Sequence, residues 1–187
     1  MPKNIIAVFA LLLFVLNIHS EGKSSLNLFA GHYGYTISYP GEYNVKPKFA
    51  KADDGTVDEI VNFIPSACIN TDRQQCGDLG MVKLAVTPKL QNFKSMGVKS
   101  LKEEIGLIVK RAKEDGEAPG NPVAARLGGL SGFTFIKSTP RKGSFTAITV
   151  IEGKKVLYLF EYQHRIKKVG RILESLSEIN PHDNPPE

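Results

Sequence analysis

A stretch near the carboxyl end, residues 144–179, constrains the fold more than any other part of the chain. Apolar and other residues alternate from Phe145 to Ile151 and again from Val156 to Tyr162, which predicts two strands joined by a turn. Apolar residues occupy both alternating sets, so both faces of this hairpin are expected to be covered. The period then changes to that of a helix with one apolar stripe, formed by Val169, Ile172, Leu173, Leu176 and Ile179.

The amino-terminal residues have the form of a secretory leader. Lys3 precedes an apolar run from Ile5 to Leu16, and a polar stretch with the small residue Ser20 follows. The run has about a dozen residues, whereas a membrane-spanning helix needs about twenty. Residues 1–20 are therefore predicted to be a signal peptide, and the mature chain is expected to be exported, periplasmic or secreted, with no transmembrane segment.

Length and charge limit the organisation of the mature chain. The 187 residues suit one domain with a sizeable core. Cleavage of the leader removes Lys3 and no acid, which leaves 23 bases, 19 acids and a formal net charge of +4. So mild a charge argues against dedicated nucleic-acid binding. We predict a tail at 21–31, a single α+β domain at 32–180 and a flexible tail at 181–187.

The first folded stretch alternates as a strand does. Pro40-Gly41 ends it, so a short strand at 43–45 is expected to double back beside it. One face of this strand carries Tyr33, Tyr35, Ile37 and Tyr39. We expect this face to be half buried, with its hydroxyl groups reaching water. The alternative is that the tyrosines form a binding platform. Other patterns predict strands at 59–64, 81–87 and 132–138, and a long amphipathic helix at 95–116.

Two cysteines lie eight positions apart between two predicted strands. In an oxidising compartment, Cys68 and Cys76 are expected to form a disulfide that staples this hairpin. The alternatives are a redox pair or half of a metal site. The spacing is not C-x-x-C and no histidine stands near in sequence, so the structural bond is favoured.

Three motifs together suggest a family. They are the opening segment YTISYP at 35–40 followed by Tyr43, the segment LGGL at 127–130 before a strand, and the terminal hairpin that leads into an amphipathic helix. Over most of the mature chain this pattern resembles the PsbP/Mog1-like superfamily, although Tyr43 stands where these domains commonly carry tryptophan. The resemblance implies an antiparallel β-sheet sandwiched between amphipathic helices, and binding or assembly rather than catalysis.

Residues that could carry catalysis do not form a recognised set. The segment at 129–132 approaches a nucleophile elbow around Ser131, but Phe133 stands where that motif needs glycine. His32, His164 and His182 show no metal-ligand spacing. No catalytic, metal-binding or cofactor-binding residue is therefore predicted, and an enzymatic role is left open with a non-enzymatic one favoured.

Bases concentrate at the start of the final helix, where the helix dipole makes each one unfavourable by about 0.3–1 kcal/mol. They are Arg165, Lys167, Lys168 and Arg171, and two turns add Arg141, Lys142, Lys154 and Lys155. If these residues share one side, they would suit an acidic protein surface or anionic lipid headgroups. The alternative is a solvated face that aids solubility.

Two function classes remain. The first is an exported, non-enzymatic binding or assembly domain of PsbP-like type that acts on a protein or envelope partner. The second is a small-ligand binding domain, or an unrecognised hydrolase, with a pocket between the sheet and the long helix. A deep apolar pocket with convergent polar groups would favour the second class.

Overall fold

The computed structural model describes residues 25–52, 55–68, 76, 79–139, 144–163 and 166–179. Within these residues the strands are β1 Leu26–Gly31, β2 Tyr35–Pro40, β3 Tyr43–Lys51, β4 Val57–Pro65, β5 Val82–Pro88, β6 Ala118–Pro119, β7 Val123–Leu127, β8 Leu130–Thr139, β9 Ser144–Glu152, β10 Val156–Gln163 and β11 Ser177–Glu178. The α-helices are α1 Lys89–Met96, α2 Leu101–Glu114 and α3 Lys167–Glu174, and a 3₁₀ turn spans Ser66–Cys68. The predicted signal peptide and the tail at 181–187 lie outside the described residues.

The strands form two antiparallel sheets. The large sheet has the order β3-β4-β5-β10-β9-β8-β6, with β7 also paired to β8, and the small sheet has the order β1-β2-β11. The predicted hairpin is confirmed as β9 and β10, in which Tyr158 pairs with Ile151. It occupies the middle of the large sheet, as its apolar residues on both faces predicted.

Two hydrophobic cores lie on opposite faces of the large sheet. On the first face, the small sheet and α3 cover strand residues such as Phe63 and Phe160, both fully buried. On the second face, Leu101 and Ile105 of α2 pack on Phe135 and Leu157. The predicted α+β fold class is confirmed, and one outer layer contains a small sheet as well as a helix.

The beginning of the domain differs from the prediction in two respects. Leu26–Gly31 form β1, so the predicted tail at 21–31 is wrong over its last six residues: Phe29 packs against Phe63 and draws this segment onto the sheet. The strand after Pro40-Gly41 does not pair with β2. Instead β3 pairs with β4, with Val45 opposite Phe63, because the chain crosses from the small sheet to the large one.

Two helices also end elsewhere than predicted. The long helix begins at Leu101, capped by Ser100, whose Oγ accepts a hydrogen bond from the Glu103 amide at 3.3 Å. A separate helix, α1, precedes it and ends at Met96, followed by the capping residue Gly97 with φ = +67°. The final helix ends at Glu174 rather than continuing to Ile179, because Ser177 and Glu178 pair with β2.

Candidate functional site

The exposed face of α3 carries three of the predicted partner-binding bases. Val169 and Ile172 are buried against the first core, which leaves Lys167, Lys168 and Arg171 in solvent. No acid stands in the first turn of α3, and no side chain of the described residues caps its start. Arg171 lies in the last turn of this eight-residue helix, so the prediction that it opposes the helix dipole is wrong.

One of these bases has a structural partner. Lys168 Nζ donates a hydrogen bond to Glu42 Oε1 at 2.8 Å, and this bond is the main reason that the pKa of the Glu42 carboxyl is lowered. The pair ties α3 to the turn between β2 and β3. Within the described chain no ion pair is formed by Lys167 or Arg171.

The described bases of the predicted partner-binding set lie on the exposed face of α3 and in the turn between β9 and β10. Lys154 and Lys155 are exposed in the turn between β9 and β10. The helix α3 follows the other end of β10, which spans eight residues or about 26 Å. After α3 the chain returns to this turn, since the Lys154 amide donates a hydrogen bond to Glu178 Oε1 at 3.0 Å. Arg141, Lys142 and Arg165 lie outside the described residues.

Both cysteines are buried beside each other. Cys68 ends the 3₁₀ turn after β4, and each cysteine is 5% exposed. Cys76 Sγ lies 3.6 Å from the backbone oxygen of Cys68, at the distance of a thiol hydrogen bond. The fold thus brings the two cysteines together, and the disulfide between them stays a prediction.

A group of buried tyrosines and carboxylates lies between the two sheets. Glu59 is only 2% exposed, and its carboxylate accepts the backbone amide of His32 at 3.1 and 3.2 Å. Tyr158 donates a hydrogen bond to Glu178 at 3.1 Å, while its ring packs against Tyr35 with centroids 5.4 Å apart. Burial is the main cause that raises the pKa of both phenols. The prediction that this tyrosine row reaches water is thus wrong for Tyr35, which is fully buried.

A cleft of about 770 Å³ lies between the start of α2 and strands β7 to β9. Its floor is a row of polar residues on adjacent strands, since Arg126 pairs with Ser131 and Ser131 with Glu152. Its side walls are Leu101, Lys102, Ala124 and Phe133, among other residues. This position agrees with the alternative pocket predicted between the sheet and the long helix, but the cleft is open rather than deep.

A second polar cluster adjoins the cleft. Lys89 Nζ lies 3.2 Å from Glu152 Oε1 in an ion pair. Glu104, on the buried face of α2, accepts a hydrogen bond from Asn92 at 2.7 Å. Burial, more than the nearby Glu152 charge, raises the pKa of the Glu104 carboxyl. Periodicity along the chain does not reveal this cluster, because its members come from three separate elements: Lys89 and Asn92 from α1, Glu104 from α2 and Glu152 from β9.

The cleft contains Ser131, the serine of the segment that approaches a nucleophile elbow. Ser131 lines it, but its cross-strand neighbours are Arg126 and Glu152, and no histidine among the described residues lines the cleft. The described part of the chain also contains no group of three or more histidine, cysteine or acidic residues placed to hold a metal. In that same part, no helix is long and apolar enough to cross a membrane.

Comparison with known proteins gives a likeness in fold. No protein-family model matches the chain. A search of curated proteins likewise found no significant match. The structure is similar to the solution structure of cyanobacterial PsbP (CyanoP) from Synechocystis sp. PCC 6803, with 11% identity and a TM-score of 0.49 over 86% of this chain and 96% of that one. The α+β fold class itself rests on the strands and helices described above.

Proposed function

We propose that this chain is an exported, non-enzymatic binding or assembly domain that binds an acidic protein partner in the cell envelope through the exposed face of α3. One observation carries the proposal: Lys167 and Arg171 project from a helix whose other face is buried, and neither has an ion-pair partner among the described residues. We refer to Lys167, Lys168 and Arg171 as the α3 basic face.

Local stability does not account for the first of these bases. The amide end of a helix carries partial positive charge, so Lys167 and Lys168 at the start of α3 are unfavourable there. Lys168 recovers some of that cost through its bond to Glu42. Lys167 has no such compensation in the described chain, which is the pattern expected of a residue retained for an external partner.

Charge complementarity identifies the kind of partner. Bases on an exposed helical face accelerate association with an acidic surface and select against basic ones. Interactions of this type weaken as salt screens them, over a distance of about 8 Å at physiological ionic strength. A protein partner is favoured over lipid because the large apolar residues of α3, Val169, Ile172 and Leu173, are buried in the core and are not available for insertion into a bilayer.

The test uses the protein purified after export and immobilised as bait for the envelope proteins of its own host. The variant carries Lys167→Glu and Arg171→Glu, which leaves the Lys168–Glu42 pair intact. The control carries Lys46→Glu and Lys48→Glu, two exposed lysines on β3 that face away from α3. Both variants make the same change in net charge.

We expect wild type and the β3 control to capture an acidic protein that the α3 variant fails to capture. The difference in capture should be greatest at low salt. Equal capture by all three proteins would mean that the α3 basic face is only solvated surface. A third outcome is that no acidic protein is captured, while wild type binds vesicles that contain phosphatidylglycerol and the α3 variant does not. That result would show that the partner is a membrane and not a protein.

A further inference from the structure

We propose that the cleft between α2 and strands β7 to β9 binds a small organic monocarboxylate with an apolar body. The two cationic side chains that line it, Lys102 and Arg126, form no ion pair with any described residue. Its volume of about 770 Å³ falls within the range of small-molecule sites. This site lies on the opposite face of the large sheet from α3, so it is independent of the proposed protein partner.

Arg126 is the residue expected to hold the carboxylate. It lies on β7 opposite Ser131 of β8, and both residues line the cleft. A guanidinium presents its N–H groups as a planar fork that matches a carboxylate in two parallel hydrogen bonds. Lys102 adds a second positive charge from the wall formed by α2.

The positive character comes from side chains and not from the helix end. Two amides at the start of α2 are already bonded: Ser100 Oγ accepts from the Glu103 amide, and Glu103 Oε2 accepts from the Lys99 amide at 2.8 Å. These bonds occupy amide donors that an anion could otherwise use. A ligand anion therefore has Arg126 and Lys102 as its main partners.

Apolar residues would contact the rest of the ligand. Ala124 pairs with Phe133 in the next row of the same strands, and Leu101 lies on the facing wall. Leu101 and Phe133 belong to the second core, so these positions are fixed by packing rather than by surface loops. A preformed apolar wall beside one cationic group favours an aromatic or branched acid.

Glu152 limits the ligand to one negative charge. It follows Arg126 and Ser131 on the third strand of the row, so the Cα atoms of Arg126 and Glu152 are about 10 Å apart. Lys89 already pairs with Glu152, so this carboxylate is held in place at the far end of the floor. A second carboxylate on the ligand would approach Glu152 and be repelled.

The probe is phenylacetate, titrated into the ¹⁵N-labelled protein and followed by NMR shifts of backbone amides. Phenylacetamide tests the need for charge, and phenylmalonate tests the limit to one charge. Arg126→Gln removes the fork, and Arg111→Gln on the exposed far end of α2 is its control. Both positions are exposed, so both variants are expected to fold.

We expect saturable shifts centred on the amides of 100–102, 126 and 131–133, with a dissociation constant in roughly the millimolar range for so small a probe. Arg126→Gln should weaken binding roughly tenfold, the effect of losing a charged hydrogen bond, and Arg111→Gln should not change it. The absence of saturable shifts at these amides, or equal binding by phenylacetamide, would overturn the site. Tighter binding of phenylmalonate would overturn the limit set by Glu152.

Discussion

Gly128 lies so close to Leu176 that a Cβ atom on this glycine would be 1.7 Å from the Leu176 carbonyl oxygen. Gly128 and Gly129 form the turn between β7 and β8, with φ of +55° and +81°. Positive φ at both central residues is the signature of the tight turn that suits the twist of paired strands. The contact therefore fixes the β7–β8 hairpin against the chain just beyond α3, and it gives the LGGL segment a structural reason.

The two glycines provide a matched pair of variants. Gly129→Ala meets no atom within 4 Å and should cost only the backbone strain of a left-handed residue, about 1 kcal/mol. Gly128→Ala carries the same strain and must also displace the Leu176 carbonyl, so we expect a loss of about 3 kcal/mol or more. Denaturant unfolding of both variants would measure the difference. Equal losses would show that the close contact has no energetic weight.

The disulfide between Cys68 and Cys76 can be tested directly. We predict that the protein purified after export has no titratable thiol when it is unfolded without reductant. The Cys68→Ser, Cys76→Ser variant should keep its fold but lose about 2.5 kcal/mol relative to the oxidised protein, the loop-closure value for so short a loop. Two reactive thiols in the unfolded, unreduced protein would contradict the bond.

The buried tyrosines predict a loss of stability at alkaline pH. Burial, first of all, raises the pKa of Tyr35 and Tyr158 above the ordinary value of 10.0, and it raises that of Tyr43 to about 12. Above pH 10 the unfolded chain therefore releases protons that the native chain keeps. Stability is fully present below pH 10 and falls as the pH rises through the folded pKa.

Two measurements check this prediction. Absorbance at 295 nm should show that part of the six tyrosines ionise only when circular dichroism reports unfolding. Tyr43→Phe should lose about 1 kcal/mol at pH 7, because Tyr43 donates a hydrogen bond to Gly80 at 3.1 Å, yet its stability should fall less steeply above pH 10. Ionisation of all tyrosines near pH 10 in a folded protein would refute the assignment.

Glu104 predicts a pH effect in the acidic range. Its pKa is raised above the ordinary value of 4.5, mainly by burial, so the native chain holds a proton that the unfolded chain releases. Stability from this residue is present below about pH 4.5 and is lost as the pH rises through the folded pKa. Glu104→Gln keeps an oxygen to accept the Asn92 bond and should raise the free energy of unfolding at pH 7 by about 1 kcal/mol.

The control for this variant is Glu114→Gln on the exposed end of the same helix, where Glu114 pairs with Lys110. It should change stability little at either pH, since exposed pairs contribute about 0–1 kcal/mol. Thermal unfolding from pH 4 to pH 7 would compare the two. A gain from Glu104→Gln that is equally large at pH 4 would show that the lost charge is not its cause.

The sequence by itself determined the elements that are stabilised by residues close together along the chain. The β9–β10 hairpin and the buried stripe of α3 through Val169 and Ile172 follow from periodicity alone. Each is stabilised by contacts within a short stretch, so the residues themselves carry the information. The predicted closeness of Cys68 and Cys76 is of the same kind.

Pairing between distant segments was decided only by the tertiary structure. The alternation at 43–45 suits a strand beside β2 as well as one beside β4, and the packing of Tyr43 and Val45 on the first core selects β4. The row of Arg126, Ser131 and Glu152 likewise exists only because three strands adopt one register. A local pattern determines which side chains of a strand share a face. Which other strand pairs with it depends on complementary surfaces formed by distant parts of the chain.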